Sequence, residues 1–123
     1  MRPPPTFLTT TENVLPDYRI LERFGVVRGI TVRSRSVFGN IGAKLQQIVG
    51  GDITLLTDLC EQTRAAAFDI AVQHAKALGA NALIALRYDA TEIMAGVSEV
   101  LCYGTAVRLV PLRSGSESEP TMP

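Results

Sequence analysis

The fold is decided by one stretch, Asp52 to Gly79, which reads DITLLTDLCEQTRAAAFDIAVQHAKALG and has the pattern of a single long amphipathic helix. At about 100° per residue, its apolar and small side chains fall on one side of a helical wheel. That side carries Leu56, Leu59, Cys60, Thr63, Ala67, Ile70, Ala71 and Leu78, and the opposite side carries Asp58, Gln62, Ala65, Asp69 and Lys76. Asp52 or Thr54 can cap the first turn, and Gly79 can close the helix in a left-handed conformation. Because alanine is frequent in this stretch, we expect the helix to lie close against a sheet.

The size and charge of the chain indicate which classes of protein it can belong to. The chain has 123 residues, which suits one domain with a modest core. Its net charge is zero, and this argues against a dedicated nucleic-acid binder, which needs excess Lys and Arg. Residues 1–44 hold seven basic and three acidic side chains, and residues 45–123 hold five basic and nine acidic ones. Self-association between the two parts and a plain solvated surface both account for this asymmetry.

Cysteine usage and the N-terminus indicate the compartment. Cys60 and Cys102 are far apart and do not form a Cys-x-x-Cys motif, whereas a secreted disulfide scaffold would use more cysteines. Residues 1–5 lack the apolar core of a signal peptide. No apolar run approaches the ~20 residues that a membrane span needs. We therefore expect a reduced, cytoplasmic protein that does not interact with membranes.

The residues before the long helix predict two strands and a short helix. Phe7–Thr11 has the composition of a short edge strand, and Tyr18–Arg35 alternates as a long strand. The even-numbered residues of the long strand are mostly apolar, and we expect them to meet the helix: Tyr18, Ile20, Phe24, Val26, Ile30 and Val32. Gly25 and Gly29 inside it indicate a bend, a bulge or a close backbone approach. Ser36–Val49 has the pattern of a shorter helix.

The residues after the long helix predict a hairpin. Leu83–Ile93 and Val97–Val110 alternate as strands, and Met94-Ala95-Gly96 is a turn signal between them. In the first strand, we expect Ile84, Leu86 and Tyr88 to share a face. The second strand has a face of larger residues and a face of small ones, the latter comprising Val100, Cys102, Gly104 and Ala106.

Together these elements predict an α+β fold with two layers. One long and one short helix pack on a mainly antiparallel sheet. The domain covers residues 7–112, between a flexible N-terminus at residues 1–6 and a disordered tail at residues 113–123 that is rich in Ser, Glu and Pro. Two helices leave part of such a sheet and its edges uncovered, so we expect a homo-oligomer.

A set of short motifs runs through the chain in a fixed order. It comprises Thr9-Thr10-Thr11, Gly25-Val26-Val27 with Gly29, Val49-Gly50-Gly51, Arg64 with Ala67, Ala77-Leu78-Gly79-Ala80-Asn81-Ala82, and Glu99 with Tyr103-Gly104-Thr105-Ala106-Val107. With these motifs the chain resembles the YbjQ-type proteins over residues 7–110. The resemblance implies a dodecin-like subunit that assembles through its strands into a ring, a pentamer, and it implies no known activity. The chain departs from the family pattern at Leu56-Thr57, where a Tyr followed by a Glu is usual.

The YbjQ-type family carries a heavy-metal-binding label, so a divalent or soft metal ion is a candidate cofactor. The weak candidate ligands are Cys60, Cys102 and His74, with Met94 or Met122 as further soft groups. A closed metal site takes about four ligands. Cys60 and His74 are fourteen residues apart, or ~21 Å along a helix, and cannot share an ion within one subunit. A site shared between subunits, a site of Cys102 with carboxylates, and ordinary buried residues are the alternatives.

Arg64, Glu99 and Tyr103 form a second candidate group, because all three belong to the matching motifs. An arginine with a carboxylate and a phenol could hold a small polar or anionic ligand. An intersubunit or helix-to-sheet salt bridge, with Tyr103 packed and its hydroxyl satisfied, is the structural alternative. Replacing Arg64 would distinguish a role in assembly from a role in ligand binding.

A third candidate is the basic face of the long strand, with Arg19, Arg23, Arg33 and Arg35. In a ring this face would attract an acidic partner or polyphosphate, and in the alternative it is a solvated face paired with acidic residues.

The sequence gives little support for catalysis, because the single histidine has no evident nucleophile partner and Gly50-Gly51 lacks the Lys-Ser/Thr of a phosphate loop. We therefore expect a non-enzymatic ring-forming protein that binds a small polar or anionic ligand between subunits, or alternatively a heavy-metal-binding protein.

Overall fold

The computed structural model describes residues 6–34 and 54–112. These residues form four strands and one helix, which we label β1, β2, α1, β3 and β4 in chain order. Their bounds are Leu8–Thr9, Tyr18–Ser34, Thr54–Ala77, Ala82–Met94 and Val97–Pro111. The α+β class is therefore confirmed. The predicted short helix at Ser36–Val49, the candidate cap Asp52, residues 1–5 and the predicted tail at residues 113–123 lie outside the described residues.

The four strands form one sheet in the order β1-β3-β4-β2. β1 is parallel to β3, with Leu8 opposite Ala82 and Thr9 opposite Leu83. β3 and β4 are antiparallel because only two residues join them, as expected for a hairpin. The sheet is therefore mixed, and both the short edge strand and the hairpin that the sequence predicts are confirmed.

The described residues divide into two compact units. Residues 6–27, 72–87 and 104–112 belong to the first unit, and residues 28–34, 54–71 and 88–103 belong to the second. Within these ranges, no helix combines the length and the apolar character that a membrane span requires.

Helix α1 ends at Ala77, and Gly79 closes it in the way that the sequence predicts. The Ala80 N–H donates to the Ala75 carbonyl at 3.1 Å, and the Gly79 N–H donates to the Lys76 carbonyl at 3.0 Å. Gly79 has a φ of +94°, a conformation that glycine adopts without a steric penalty. This pair of bonds is a Schellman motif, and it satisfies carbonyls that the last turn would otherwise leave unpaired.

The buried stripe of α1 consists of small residues, namely Thr63, Ala67, Ala71 and Ala75. All five residues predicted for the opposite side are exposed. The prediction was correct for Thr63, Ala67 and Ala71, but it was wrong for three larger residues that are exposed, Cys60, Ile70 and Leu78. The helix lies so close to its strand that small side chains fill the contact, and the larger ones stay at the margin of the stripe.

Gly29 of β2 sets this close contact. A Cβ atom at Gly29 would overlap the Ala67 carbonyl oxygen and would lie 2.5 Å from the Ala71 nitrogen. The predicted close backbone approach is therefore confirmed. The prediction that the even-numbered apolar residues meet the helix was wrong in this part of β2: Val26, Ile30 and Val32 are 70%, 43% and 50% exposed. A helix packed this tightly needs the strand face that carries glycine, so the more apolar face is turned away.

The first unit has its own apolar core. Ala82, Ile84, Val107 and Leu109 are buried together, and Leu8, Leu15, Tyr18 and Ile20 pack against them. The Asn81 side chain fixes one end of this core, since its amide group donates to the Leu109 carbonyl at 2.9 Å and accepts from the Leu109 N–H at 2.7 Å. Asn81 thereby continues the strand pairing with a side chain in place of backbone.

β3 changes character along its length. Its inner half, Ala82–Leu86, is almost completely buried, whereas every residue of its outer half, Arg87–Met94, is exposed. Ala85 has a φ of +54°, and the successive N–H groups of Ala85 and Leu86 both donate to the segment that follows β1. Two successive N–H groups directed at one neighbour are typical of a β-bulge. The bulge interrupts the strict alternation that was predicted for this strand.

Candidate functional site

Helix α1 places Glu61 and Arg64 on its exposed side. Residues three apart are neighbours on a helix surface, so both charges act on the same region. Thr63 is buried, and its hydroxyl donates to the Leu59 carbonyl at 2.9 Å. The local sequence therefore directs Thr63 inward with its hydroxyl satisfied, and it directs Glu61 and Arg64 outward.

β3 and β4 bring Tyr88 and Cys102 together. The Tyr88 hydroxyl donates a hydrogen bond to Cys102 Sγ. Cys102 is fully buried, whereas Tyr88 is 42% exposed. The pair therefore connects a buried thiol to a hydroxyl at the surface. We call Glu61, Arg64, Tyr88 and Cys102 the Tyr88 cluster.

The surroundings keep both groups protonated. Burial raises the pKa of the Cys102 thiol, and the hydrogen bond from Tyr88 offsets part of this rise because it favours the thiolate. Burial is also the main cause of the raised pKa of Tyr88, and Cys102 raises it further. Arg64 lowers the pKa of Tyr88, and Glu61 raises it. At neutral pH the pair is therefore a phenol and a thiol, both uncharged.

The Tyr88 cluster offers hydrogen-bond donors at the surface. The Arg64 guanidinium carries several N–H donors, whereas the Tyr88 hydroxyl, whose proton goes to Cys102, can accept. Donors of this kind suit a carboxylate, a phosphate or another polar acceptor. Burial and the raised pKa disfavour the Cys102 thiolate, which is the nucleophilic form of the side chain.

The structure places the predicted group of Arg64, Glu99 and Tyr103 on two elements. Arg64 is exposed on α1, and Glu99 and Tyr103 are half-buried on β4. Alternate residues of a strand point to the same side, so Glu99 and Tyr103 share one side of β4 and Cys102 lies on the other. Arg64 acts electrostatically on Tyr88. A site that contains all three predicted residues stays a prediction, and it would need a second copy of the chain.

Known proteins resemble this chain over nearly all of the described residues. A family model, YbjQ, described as "Putative heavy-metal-binding", matches residues 7–110. The chain belongs to the YbjQ family. The resemblance that the sequence motifs indicate is thereby confirmed.

Two relatives extend the match. The UPF0145 protein of Solibacter usitatus (strain Ellin6076) is 59% identical over 108 residues, which are 88% of this chain and 96% of the relative. The UPF0145 protein of Chromobacterium violaceum is 55% identical over 116 residues, which are 94% of this chain and 98% of the relative. These proteins place the chain in an uncharacterised family.

A solved structure supports the fold. A crystal structure of a protein of unknown function from Pediococcus pentosaceus ATCC 25745, assigned to the DUF74 family, superimposes with a TM-score of 0.55. It covers 85% of this chain and 98% of the other at 18% sequence identity. At this identity the likeness shows a shared fold.

The heavy-metal description of the YbjQ family can be compared with the positions of the candidate ligands. Cys60 and His74 are exposed on α1, and Cys102 is buried with a raised thiol pKa. A soft metal binds the thiolate, so the surroundings of Cys102 oppose metal binding. Over residues 6–34 and 54–112, no group of three His, Cys, Asp or Glu side chains converges in a way that could hold an ion. The described residues of this YbjQ protein therefore do not fit a metal site within one chain.

Sequence reasoning missed two members of the Tyr88 cluster. Tyr88 was assigned to an apolar strand face, and Glu61 was not singled out. The available signal was the pair Glu61 and Arg64, three residues apart on one helix, which marks a polar patch. The bulge at Ala85 affects which residue of β3 lies next to this patch. The bulge is at an alanine, so no glycine or proline in the sequence indicates it.

Proposed function

We propose that this YbjQ protein is a non-enzymatic, cytoplasmic homo-oligomer whose copies close into a ring by pairing strand edges. The main support for this proposal is the exposure of the outer half of β3. Every side chain from Arg87 to Met94 is exposed, and among the described strands this half has β4 alone as a neighbour. A strand with a neighbour on one side only presents a row of unpaired N–H and C=O groups, which favours pairing with another chain. A second copy would supply the missing neighbour.

The residues exposed on this half are unusual for a solvated strand. Tyr88, Ile93 and Met94 are 42%, 52% and 64% exposed. Apolar side chains grouped on a strand with an open edge favour pairing with another chain. This pattern supports association through β3.

β2 offers a matching edge, because it lies at the other end of the strand order. Ile30 and Val32 are exposed there. The two strands differ in net charge, since β2 has four basic residues and one acidic residue, whereas the outer half of β3 has Asp89 and Glu92 with one basic residue, Arg87. When two different edges pair, the contact is head-to-tail, and repetition closes a ring if the rotation between copies allows it. Five copies is the number that the family resemblance implies.

The same assembly suggests where a small polar or anionic ligand would bind. Arg64 presents N–H donors close to Tyr88, at the start of the exposed half of β3, where the next copy would approach. Glu99 and Tyr103 of that next copy would be candidates to complete the site. In Arg64→Gln, an intact ring that no longer retains an anion in native mass spectrometry would support this site, and loss of the ring would indicate a structural role for Arg64.

Light scattering coupled to size exclusion tests the ring. One chain has a mass of 13.3 kDa, so a single species at a whole multiple of this mass is expected at micromolar concentration. Ile93 is 52% exposed on the outer half of β3. Ile93→Asp places a charge where the next copy would pack, and a charge on a strand edge opposes pairing with another chain.

We expect Ile93→Asp to break the assembly into smaller species and Ile93→Val, which keeps an apolar side chain, to leave the mass unchanged. A wild-type protein that runs as a folded monomer would overturn the proposal. So would an Ile93→Asp variant that keeps the wild-type mass. Heavy-metal binding, the family's description, is the alternative function, and stoichiometric metal in the purified protein would favour it.

A further inference from the structure

The N-terminal segment covers part of one edge of β3. Residues 7–12, which we call the edge strap, include β1 and the turn that follows it. The strap lies along the inner half of β3, in parallel orientation. Lys76 anchors its first residue, with Nζ 5.5 Å from the centre of the Phe7 ring.

Backbone hydrogen bonds hold the strap along this inner half. The Leu8 N–H donates to the Asn81 carbonyl at 3.1 Å, and the Thr10 N–H donates to the Leu83 carbonyl at 3.2 Å. In return, the Thr10 carbonyl accepts from the Leu86 N–H at 3.0 Å. These bonds occupy the edge of β3 as far as Leu86.

Two features end the pairing of the edge strap with β3 near Leu86. The bulge directs the Ala85 N–H to the Glu12 carbonyl at 2.8 Å, and it holds Ala85 at a φ of +54°, which costs about 1 kcal/mol for a residue with a side chain. Arg87 Nη1 then donates to the Thr11 carbonyl at 3.1 Å and to the Leu86 carbonyl at 2.8 Å. The Arg87 side chain therefore pins the end of the strap where the exposed half of β3 begins.

We infer that the edge strap is a built-in stop that restricts copy-to-copy pairing to the outer half of β3 and thereby fixes its register. This inference rests on the proposed ring. Without the strap, the edge of β3 would be open along all 13 residues, and a pairing strand could slide along it. A strand edge without a stop permits slipped registers and open-ended association.

The test uses two matched proline substitutions in the full chain. Thr10→Pro removes the N–H that bonds to Leu83 and should release the strap. In a strand, alternate N–H groups point to opposite edges, so the Thr9 N–H points away from β3. Thr9→Pro is therefore the control, since proline is tolerated where the N–H faces outward.

Two measurements separate the strap from the ring. Hydrogen exchange at the Ala85 and Leu86 amides should rise about tenfold in Thr10→Pro and stay unchanged in Thr9→Pro, as expected for the loss of one hydrogen-bonded segment. Light scattering should then give one species for Thr9→Pro and a broad, heavier distribution for Thr10→Pro. Arg87→Ala, an exposed substitution, provides a second route to the same loosening if Thr10→Pro does not fold.

Each outcome decides the proposal. Released strap amides with the wild-type mass and a single species would show that the strap does not limit pairing. Unchanged exchange in both Thr10→Pro and Arg87→Ala would show that these groups do not hold the strap. If the wild type itself is monomeric, the ring proposal fails, whereas exchange at Ala85 and Leu86 would still report whether the strap is anchored as described.

Discussion

The two halves of β3 differ although they form one continuous strand. The inner half, Ala82–Leu86, has the edge strap on one side and β4 on the other, and its apolar residues are buried. The outer half, Arg87–Met94, has β4 as its described neighbour and is exposed at every position. Among the described residues, the inner half therefore has a neighbour on both sides and the outer half has one open edge, and this difference is the main evidence for association.

Gly29→Val should have the largest effect on stability, because it disrupts the contact between β2 and α1 in the second unit. The new side chain would overlap the α1 backbone at Ala67 and Ala71. We expect a loss of about 3 kcal/mol or more in the free energy of unfolding, measured by urea denaturation. Gly29 and residues 88–94 of β3 belong to the same unit, so this variant also tests whether the exposed half of β3 depends on the packed helix.

Gly25→Ala is the matched control for Gly29→Val. Gly25 has a φ of +98°, and the space that its Cβ would occupy is open, so alanine costs only the backbone penalty of about 1–2 kcal/mol. An equal loss for the two substitutions would contradict the close approach of α1 to Gly29.

Asn81→Leu should have the next largest effect and should act on the first unit. It leaves the Leu109 N–H and carbonyl without the two side-chain hydrogen bonds, which costs about 1–3 kcal/mol. Asn81→Asp keeps the acceptor for the Leu109 N–H and should lose less. If both variants unfold at the wild-type urea concentration, the Asn81 bonds do not stabilise the core.

Stability should also fall at alkaline pH. The pKa values of Cys102 and Tyr88 are both raised by folding, so the folded chain holds these protons more tightly than the unfolded chain. Their contribution is complete below the ordinary thiol pKa and is lost as pH rises through the folded pKa values. Urea midpoints should therefore decline above about pH 8.5, and Cys102→Ala should flatten the start of this decline. The same slope in wild type and variant would show that Cys102 does not contribute.

The smallest expected effect is on metal binding. Because the Cys102 thiol is buried and protonated, Cys102→Ala should leave the uptake of zinc and cadmium unchanged, measured by elemental analysis after dialysis. Cys60→Ser, which changes an exposed thiol, is the control. A stoichiometric loss of metal on replacing Cys102 would contradict the protonated, unreactive state assigned to this thiol.

The helix and strands of this fold were predicted from the sequence more accurately than which of their faces are buried. The helix, its glycine cap, the edge strand and the hairpin have local signals, since each depends on residues close together in the chain. The face of β2 that meets α1 was wrong because the contact is decided by the absence of a side chain at Gly29, and apolar character alone does not report this. Cys60 and Ile70 were misplaced for the same reason.

The candidate site was harder to predict than the fold. Arg64 and Cys102 were singled out, but in different groups, because their meeting at Tyr88 depends on strand register. The bulge at Ala85 sets part of that register, and its positive φ occurs at an alanine. No local pattern in the sequence marks such a position.

Hydrogen exchange along β3, measured at several protein concentrations, tests the central claim most directly. The N–H groups of the outer half that point away from β4 should be protected at micromolar concentration and should lose protection on dilution, while the inner half stays protected throughout. Rapid exchange of these outer amides at every concentration, in a fully folded protein, would show that no second copy pairs with this edge.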